Sequence, residues 1–364
     1  MPPFTLFRYL SFRTLAGVGG LFILMAALVV LTDLIENLRF AGKVANGDFG
    51  FALMLTFMRT PGLSQALLPF VFLFGAMWAF NQLNRHSEIS VMRSAGLSIW
   101  RLLGPAALIA AFFGALVVTA IDPLSTRLMA QAEKMRNDVR GLNSGLVQIF
   151  DDGIWLRQGT ADNALIINAR GFDEDESALT DVTVWRFDAD SVFVERIDSP
   201  KAVLSGHTLE LREARLKAID DQKERRSPVY AIPTSLTPAD MRERVAPPET
   251  MSIWQLPRFI PLAEAAGMPT KRYYIRFHDL CSTPLKLLAM VLIAATFSLR
   301  HARAGGGLKL FAYGVSAGFL LYVLVEISTA LGESGVAPVA LAAWTPALAA
   351  TLFAVTGLLH LEDG

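Results

Sequence analysis

The sequence predicts an α-helical membrane protein with six transmembrane helices and one inserted all-β, jelly-roll-like domain. Of its 364 residues, 53% are hydrophobic and only 18% are charged, which is too apolar for a soluble protein of this length. The apolar residues gather in six long runs, three near each end of the chain. Between them lies a polar stretch of short segments rich in β-branched and aromatic residues, which is typical of antiparallel strands.

Each of the six apolar runs is long enough to cross the hydrocarbon core of a bilayer. Arg8 and Arg13 precede the first run, and no small-x-small cleavage site follows it before Asp33. We therefore expect an uncleaved first helix rather than a removed signal peptide. The six predicted spans are residues 15–31, 63–83, 102–121, 280–299, 308–331 and 339–360.

Lysine and arginine residues in the short loops predict the orientation, because they are retained on the cytoplasmic side. With the N-terminus inside, the inner loops hold eight such residues and the outer short loops hold three. Both termini are therefore expected to be cytoplasmic, with the β-rich insert outside. The inner set is Arg8, Arg13, Arg85, Arg93, Arg101, Arg300, Arg303 and Lys309, and the outer set is Arg39, Lys43 and Arg59.

The insert, residues 123–275, is expected to open with a helical extension of the third span and then to form short strands. Apolar residues alternate with polar ones in this segment, but the alternation shifts by one position between Leu211 and Ala214. Such a shift predicts a β-bulge. No strong helix separates the strand patterns, so we expect an antiparallel sandwich or jelly roll, followed by a short helix over 252–266. Strands are predicted at 164–169, 182–187, 192–197 and 208–212. The predicted segments are 1–122 with spans one to three, 123–275 with the β domain, and 276–364 with spans four to six.

The polar, basic stretch 84–101, between the second and third spans, has the pattern of a short amphipathic helix. Ile89, Met92 and Leu97 form an apolar stripe near helical spacing, and Gly96 would bend or end the helix. We interpret the stretch as a cytoplasmic helix on which a soluble motor pushes; the alternative is an ordinary solvated loop. Its polar face carries Ser87, Glu88 and Ser94.

Sequence motifs give no sign of a nucleotide site in the chain or of a hydrolase site in its exported segment. GxxxxGK[ST] occurs nowhere, GxSxG and HExxH are missing from the exported segment, and the net charge of +0 gives no reason to expect nucleic acid as a partner. The single cysteine, Cys281, excludes an internal disulfide, and the five histidines show no ligand spacing. We therefore expect a membrane protein with no cofactor, no metal site and no catalytic residue, driven by a separate energy source.

Several ionisable residues are expected at membrane depth or at its outer edge, where a charge is costly unless it faces protein or water. Asp33 and Glu36 follow the first span, and Lys286 in the fourth span is expected to reach toward the outer face. For Glu326, in the fifth span, a contact between helices and a role in a substrate cavity or gate are both open. Six basic residues at the outer boundary suit the phosphates of an amphiphile, with interfacial anchoring as the alternative. They are Arg39, Lys43, Arg59, Lys134, Arg136 and Arg140.

Further patterns follow one another along the chain. An S-E-x-x-x-M-x-x-x-G pattern runs from Ser87 to Gly96, and Pro61 and Pro69 flank the start of the second span. Others are LRHARAGGG at 299–307, GFLLYVLVE at 318–326 and GVAPVALAAWTP at 335–346. With six spans and one β-rich insert, these patterns resemble the permease subunits of the lipopolysaccharide-export ABC transporter, the LptF/LptG family. GIWLR at 153–157 resembles the LptG member more than the LptF member.

The resemblance implies a permease that extracts lipopolysaccharide from the outer leaflet of a Gram-negative inner membrane and passes it toward the outer membrane. The implied partners are a second related permease in a heterodimer, two copies of a cytoplasmic ABC ATPase, a periplasmic jelly-roll bridge protein and a membrane-anchored jelly-roll subunit. ATP would be hydrolysed by the ATPase, and closure of the helices would extrude the lipid upward from a shrinking cavity.

The same resemblance implies roles for individual residues. The six basic residues would meet the lipid A phosphates, with Arg59 in place of a lysine that some relatives carry where this chain has Gly62. The coupling element would use Arg85, Ser87, Glu88, Met92, Arg93 and Gly96. The lateral gate and acyl-chain cavity would use Phe22, Leu28, Phe70, Gly314, Gly318, Phe319, Leu320 and Glu326.

Three other functions fit parts of the pattern. A force-transmitting ABC permease of another type usually has four spans, and the six spans counted here argue against it. A membrane enzyme acting on lipid-linked sugars should show clustered acidic residues, and Asp33 with Glu36 is the only candidate pair. A scaffold without a transport role gives no reason for the coupling pattern.

Overall fold

In a computed structural model the chain forms two compact units, Met1–Met129 with Tyr274–Gly364, and Ala130–Tyr273. The first unit holds most of the apolar helices and the second holds the β-rich insert. The structure describes residues 3–43, 48–139, 148–150, 153–158, 165–173, 178–188, 192–205, 208–218, 224–234, 248–265, 270–299 and 307–363.

Long apolar helices account for most of the first unit. Five of the helices that the structure describes are long and apolar enough to cross a membrane, and α2 with α3 supplies a sixth when counted as one broken span. This agrees with the six spans predicted from the sequence. The described helices are α1 (Pro3–Ala41), α2 (Phe49–Ala66), α3 (Leu68–Arg85), α4 (Glu88–Ser94), α5 (Ile99–Leu116), α6 (Asp122–Val139), α7 (Leu256–Ala265), α8 (Lys271–Ser298), α9 (Gly307–Glu333) and α10 (Val339–Asp363).

The second predicted span, residues 63–83, is not one straight helix. α2 and α3 meet at Leu67 with a bend of 65°. Pro69 lies in the first turn of α3, where its missing N–H costs no hydrogen bond and where a proline disfavours helix continuation from the preceding residue. Part of the predicted outer loop instead forms α2, which Asp48 caps by accepting a 2.7 Å hydrogen bond from the Phe51 N–H.

The centre of the first unit is packed through small residues. Gly17 of α1 lies so close to α3 that an added Cβ would come within 2.5 Å of the Gly75 carbonyl oxygen. Gly114 of α5 likewise lies against the backbone of Pro284 on α8. Backbone contact therefore sets how closely these helices approach one another, since a close-packed interior leaves no room for a larger side chain at the contact. Large side chains of α3 that are fully buried in this centre include Phe72, Leu73, Met77 and Phe80.

The second unit contains a seven-stranded antiparallel sheet whose strands follow one another in chain order. The inserted all-β domain is therefore confirmed, and its connectivity among the described strands is that of a meander. The four predicted strands appear as β3 to β6, each longer than expected, while β1, β2 and β7 were not predicted. The strands are β1 (Gln148–Phe150), β2 (Gly153–Gln158), β3 (Leu165–Asp173), β4 (Ala178–Phe187), β5 (Phe193–Ser205), β6 (Thr208–Ala218) and β7 (Arg225–Pro233).

The predicted slip of the apolar phase in β6 is present, but the predicted β-bulge is wrong. Leu211 and Ala214 are both buried, and Glu213 between them has a left-handed backbone with φ 54°. The left-handed backbone at Glu213 brings Leu211 and Ala214 to the same buried face of the sheet, although three positions separate them, and neither strand gains an extra residue. On β7 the residue opposite Glu213 is Pro228, which has no N–H for the ladder. β5 and β6 keep one register on either side, through the pairs Arg212 with Lys201 and Arg215 with Asp198.

Candidate functional site

α4 lies within the predicted coupling stretch, between two residues with left-handed backbone. Ser87 before it has φ 60°, and Gly96 after it has φ 83°. Glycine adopts this region without cost because it has no Cβ, whereas a serine is uncommon there. These two residues change the chain direction sharply, so α4 is a separate short helix set between α3 and α5.

One side of α4 packs on the hydrophobic core of the first unit, to which α4 itself belongs, and the other side is exposed. Ile89 is buried, and Met92 packs against the same hydrophobic core. Val91 points away from that core and is 65% exposed. Arg85, the last residue of α3, and Ser87, just before α4, are also exposed. α4 therefore presents an apolar side chain on an accessible surface, and an exposed basic residue precedes it in the chain.

Side-chain hydrogen bonds join α4 to both ends of the chain. The Tyr9 hydroxyl of α1 donates to Glu88 Oε2 at 2.8 Å, and Arg13 Nε donates to the Tyr9 oxygen at 3.1 Å. On the other side of α4, Arg93 donates to the backbone oxygen of Leu361 at 3.4 Å. Glu88 and Arg93, both predicted as coupling residues, thus already have partners within the chain. Tyr9 is 79 residues from Glu88, so no local pattern indicates this contact.

A buried polar network joins α1 to α2. Asp33, Asn37 and Thr56 are buried, and the Asn37 amide donates to Asp33 at 2.7 Å and to Thr56 at 3.0 Å. Arg59 pairs with Asp33 at 2.8 Å and with Glu36 at 3.7 Å. Asp33 and Glu36, the candidate acidic pair of the enzyme alternative, therefore lie around one arginine that neutralises part of their charge. The spacing of Asp33 and Asn37, four residues apart on one helix, is the only local signal of this network.

The predicted basic set is divided between the two compact units. In the first unit, Arg39 and Lys43 are exposed at and just after the end of α1. In the second unit, Lys134 is exposed on α6 and Arg136 is half-buried. Arg140 lies outside the described residues. Arg39 and Lys43 are thus presented to solvent in a way that Arg59, held by two carboxylates, is not.

α1 and α9 are the least buried of the candidate spans. Only 17% of the most apolar window of each is buried, compared with 67% for α8. Four predicted gate residues lie exposed on these two helices: Phe22, Leu28, Phe319 and Leu320.

The other predicted gate residues lie near the contact between α3 and α9. The Phe70 ring of α3 packs against the Tyr322 ring of α9, with centroids 5.2 Å apart. Glu326 follows Tyr322 by one helical turn on α9 and is exposed. Two glycines allow the helices to approach closely, and the pairs in contact are Gly314 with Met77 and Gly318 with Leu73.

A buried ion pair lies where the third span ends. A π-helical turn, Val117–Ile121, joins α5 to α6, and Asp122 follows it with no exposed surface. Its carboxylate accepts a 2.9 Å hydrogen bond from Arg276 of α8. A buried charge is costly unless it is paired, so this bond fixes α6 to α8. The two residues are 154 positions apart, and no local pattern signals their contact.

Lys286, which was expected to reach toward the outer face, pairs with Asp279 on its own helix at 2.6 Å. Asp279 lies two turns earlier on α8, so the ammonium points back toward the start of the helix. Among the residues that the structure describes, no cluster of three histidine, cysteine, aspartate or glutamate side chains could hold a metal ion.

Known proteins match the chain along nearly its full length. A family model described as "Lipopolysaccharide export system permease LptF/LptG" matches residues 8–360. The lipopolysaccharide export system permease protein LptG of Haemophilus influenzae is 25% identical over 348 residues, covering 91% of each chain. The protein of the same name from Escherichia coli strain K12 is 23% identical over 345 residues, covering 90% of each chain. Both matches include the two groups of spans and the β-rich insert.

Proposed function

The chain belongs to the LptF/LptG family of lipopolysaccharide export system permeases, and we propose on that basis that it extracts lipopolysaccharide from the outer leaflet of the inner membrane. In this role it is a multi-pass permease subunit of an ABC transporter and passes the lipid to a periplasmic bridge. The match over residues 8–360 carries this proposal, because it covers the spans and the insert together. The LptG names of the relatives support the LptG-like role.

ATP is hydrolysed by a separate cytoplasmic ABC ATPase, two copies of which dock beneath a pair of permeases. α4 is the element of this chain that receives one of them. Its exposed Val91 and the neighbouring Arg85 support this role, since an apolar anchor with a charged rim is the usual composition of a protein interface. Met92 and Ile89, in contrast, anchor α4 to its own chain.

The lipid A phosphates are bound by the basic side chains at the outer boundary. Arg39 and Lys43 are exposed and support this role best, because a charge-assisted hydrogen bond to phosphate needs an accessible donor. Lys134, Arg136 and Arg140 belong to the same proposed set. Arg59 contributes by holding α2 on α1 through its carboxylate partners, and it reaches phosphate only by leaving them.

The acyl chains and the second permease face the exposed apolar surfaces of α1 and α9. Phe22 and Leu28 on α1, with Phe319 and Leu320 on α9, would border the lateral gate. Glu326 and Tyr322 place a polar pair on the same face of α9, where a lipid headgroup or a partner helix would meet it. The β-rich unit then hands the lipid to a periplasmic jelly-roll bridge by strand addition.

Co-purification from native membranes tests this function, with two matched variants. Val91→Asp places a carboxylate on the exposed face of α4, and Val336→Asp makes the same change in the exposed loop between α9 and α10. We expect wild type and Val336→Asp to bring down an ATPase, a second permease and phosphorylated lipid. Val91→Asp should lower ATPase recovery at least about tenfold, because burying an unpaired charge costs several kcal/mol.

The lipid and the second permease should remain with Val91→Asp, since α4 contributes to neither. Recovery of the wild-type chain without any ATPase would contradict the proposed function. Equal ATPase recovery with both aspartate variants would contradict the placement of the dock on α4.

A further inference from the structure

Tyr9 occupies the centre of a three-residue relay on the surface of the first unit. Its hydroxyl donates to Glu88 at 2.8 Å and accepts from Arg13 at 3.1 Å, so both hydrogen-bonding capacities of the oxygen are in use. The Arg13 guanidinium also lies over the Tyr9 ring, 5.3 Å from its centroid. The relay therefore links the first turn of α4 to the second and third turns of α1.

α4 can tilt as a unit, because its direction relative to α3 and α5 is set at single residues. Ser87 and Gly96 have left-handed backbone at its two ends, and a change of dihedral angles there reorients α4 without bending its neighbours. The Glu88–Tyr9 hydrogen bond lies at the start of α4, and Tyr9 belongs to α1. A tilt of α4 would therefore move α1 through this bond.

α1 is suited to carry such a movement across the membrane. It is a continuous helix from Pro3 to Ala41, so Tyr9 and the exposed Phe22 lie on one rigid element about 20 Å apart at 1.5 Å per residue. Most of its apolar window is exposed, so little packing has to be broken when it shifts. Its contact with α3 runs along one seam that includes Gly17 and Gly75.

We propose that Tyr9 is a positioning residue that transmits movement of α4 to α1 through its hydrogen bond to Glu88. This inference rests on the proposed function, since it takes α4 as the ATPase dock. Glu88 thereby serves inside the chain, in addition to any contact it makes with the ATPase. A docked ATPase would exclude water from the relay and strengthen it, because hydrogen bonds gain strength as the local dielectric falls.

The bond adds little to folding, since exposed hydrogen bonds and ion pairs contribute little net free energy. Its removal is therefore a suitable test of coupling. The complete transporter, with its partner permease and ATPase, is placed in vesicles containing lipopolysaccharide, and lipid released is divided by ATP hydrolysed. Tyr9→Phe removes only the hydroxyl, and Tyr313→Phe on α9 removes the same group from an exposed tyrosine outside the relay.

We expect Tyr9→Phe to lower lipid release per ATP at least about fivefold, the lower end of typical coupling between sites. ATPase recovery and thermal stability should match wild type, and Tyr313→Phe should match wild type in all three. Glu88→Ala should reproduce the loss, and Glu88→Gln should restore part of it because its amide oxygen still accepts the bond. The Tyr9→Phe/Glu88→Ala double variant should be no worse than Glu88→Ala alone.

Three outcomes overturn the inference. Lipid release per ATP in Tyr9→Phe could equal that of Tyr313→Phe. Tyr9→Phe could lose ATPase recovery and thermal stability in proportion to transport, which would make the hydroxyl a structural group only. The double variant could show the product of the two single losses. In contrast, a wild-type complex that releases no lipopolysaccharide would refute the proposed function itself, whatever Tyr9 does.

Discussion

α8 and α9 are consecutive spans with nearly the same apolar content and opposite surroundings. The most apolar windows have mean hydropathy 1.8 in α8 and 1.7 in α9, yet 67% of the first and 17% of the second are buried. Hydropathy thus identifies both as spans and does not distinguish them. The difference lies in what each helix offers to its neighbours.

α8 packs against other helices of the same chain through small and polar groups. Gly114 of α5 lies against the backbone of Pro284, and the Thr296 hydroxyl donates to the backbone oxygen of Ala354 on α10 at 3.2 Å. α9 instead presents large apolar side chains such as Phe319. α8 therefore belongs to a fixed scaffold, whereas α9, like α1, leaves most of its apolar surface exposed, as the proposed lateral gate requires.

Among substitutions of charged residues, the largest effect should come from breaking the buried ion pair of the scaffold. Asp122→Ala removes the partner of Arg276 from a fully buried site. We expect a loss of about 3 kcal/mol in the free energy of unfolding, the low end for a broken buried pair because Arg276 is partly exposed. The loss of stability is measured by heating the protein in detergent with a thiol-reactive dye. The dye labels the single cysteine, Cys281 on α8, as unfolding exposes it.

Glu224→Ala is the matched control, since it removes a carboxylate from an exposed pair with Arg226. Its effect should stay below about 1 kcal/mol. Equal destabilisation by both variants would show that Asp122 is no more important to the scaffold than a surface charge.

An intermediate effect is expected at the seam between α1 and α3. Gly17→Ala adds a Cβ that meets the Gly75 carbonyl oxygen, whereas Gly19→Ala on the same helix meets nothing within 4 Å. We expect Gly17→Ala to destabilise by roughly 1–3 kcal/mol through overpacking. Gly19→Ala should be neutral or stabilising by up to about 1 kcal/mol, from helix propensity. The same thermal labelling compares them, and a stable Gly17→Ala would show that α1 shifts freely along α3.

The smallest effect on stability is expected on the exposed face of α9. Phe319→Ala should change the free energy of unfolding by less than about 0.5 kcal/mol, since its side chain is mostly exposed. Leu73→Ala, on the buried face of α3, should cost roughly 2–5 kcal/mol. Recovery of bound lipid should fall for Phe319→Ala in spite of its stability. An α9 variant that loses stability and keeps its lipid would reverse the roles assigned to these two helices.

Much of the architecture follows from local patterns. Apolar runs predicted the spans because crossing a bilayer demands length and apolarity of each helix by itself. Alternation predicted β3 to β6, and it did not predict β1 because three residues are too few for a period to appear. The break at Leu67 was not predicted, because the apolar run continues through it. Pro69 marks the start of α3, but from the sequence alone it served only as part of the family resemblance.

The contacts of the candidate site depend on the fold. Tyr9 and Glu88 are each ordinary in sequence, and Asp122 and Arg276 lie near the starts of two separate helices. Their pairing arises when helices distant in the chain pack together, which no periodicity records. The basic residues show the same limit in another way, because the sequence could not distinguish the exposed Arg39 from Arg59, which two carboxylates hold.

Photo-crosslinking of lipopolysaccharide to single positions in native membranes tests the central claim most directly. A photoreactive phenylalanine analogue replaces Phe22 on α1, Phe319 on α9 or Phe353 on α10, all of which are exposed phenylalanines on candidate spans. The lateral path proposed here predicts lipopolysaccharide adducts at Phe22 and Phe319 that disappear when ATP is hydrolysed, and few adducts at Phe353. Equal adducts at all three positions, unaffected by ATP, would show ordinary contact with membrane lipid and would contradict extraction between α1 and α9.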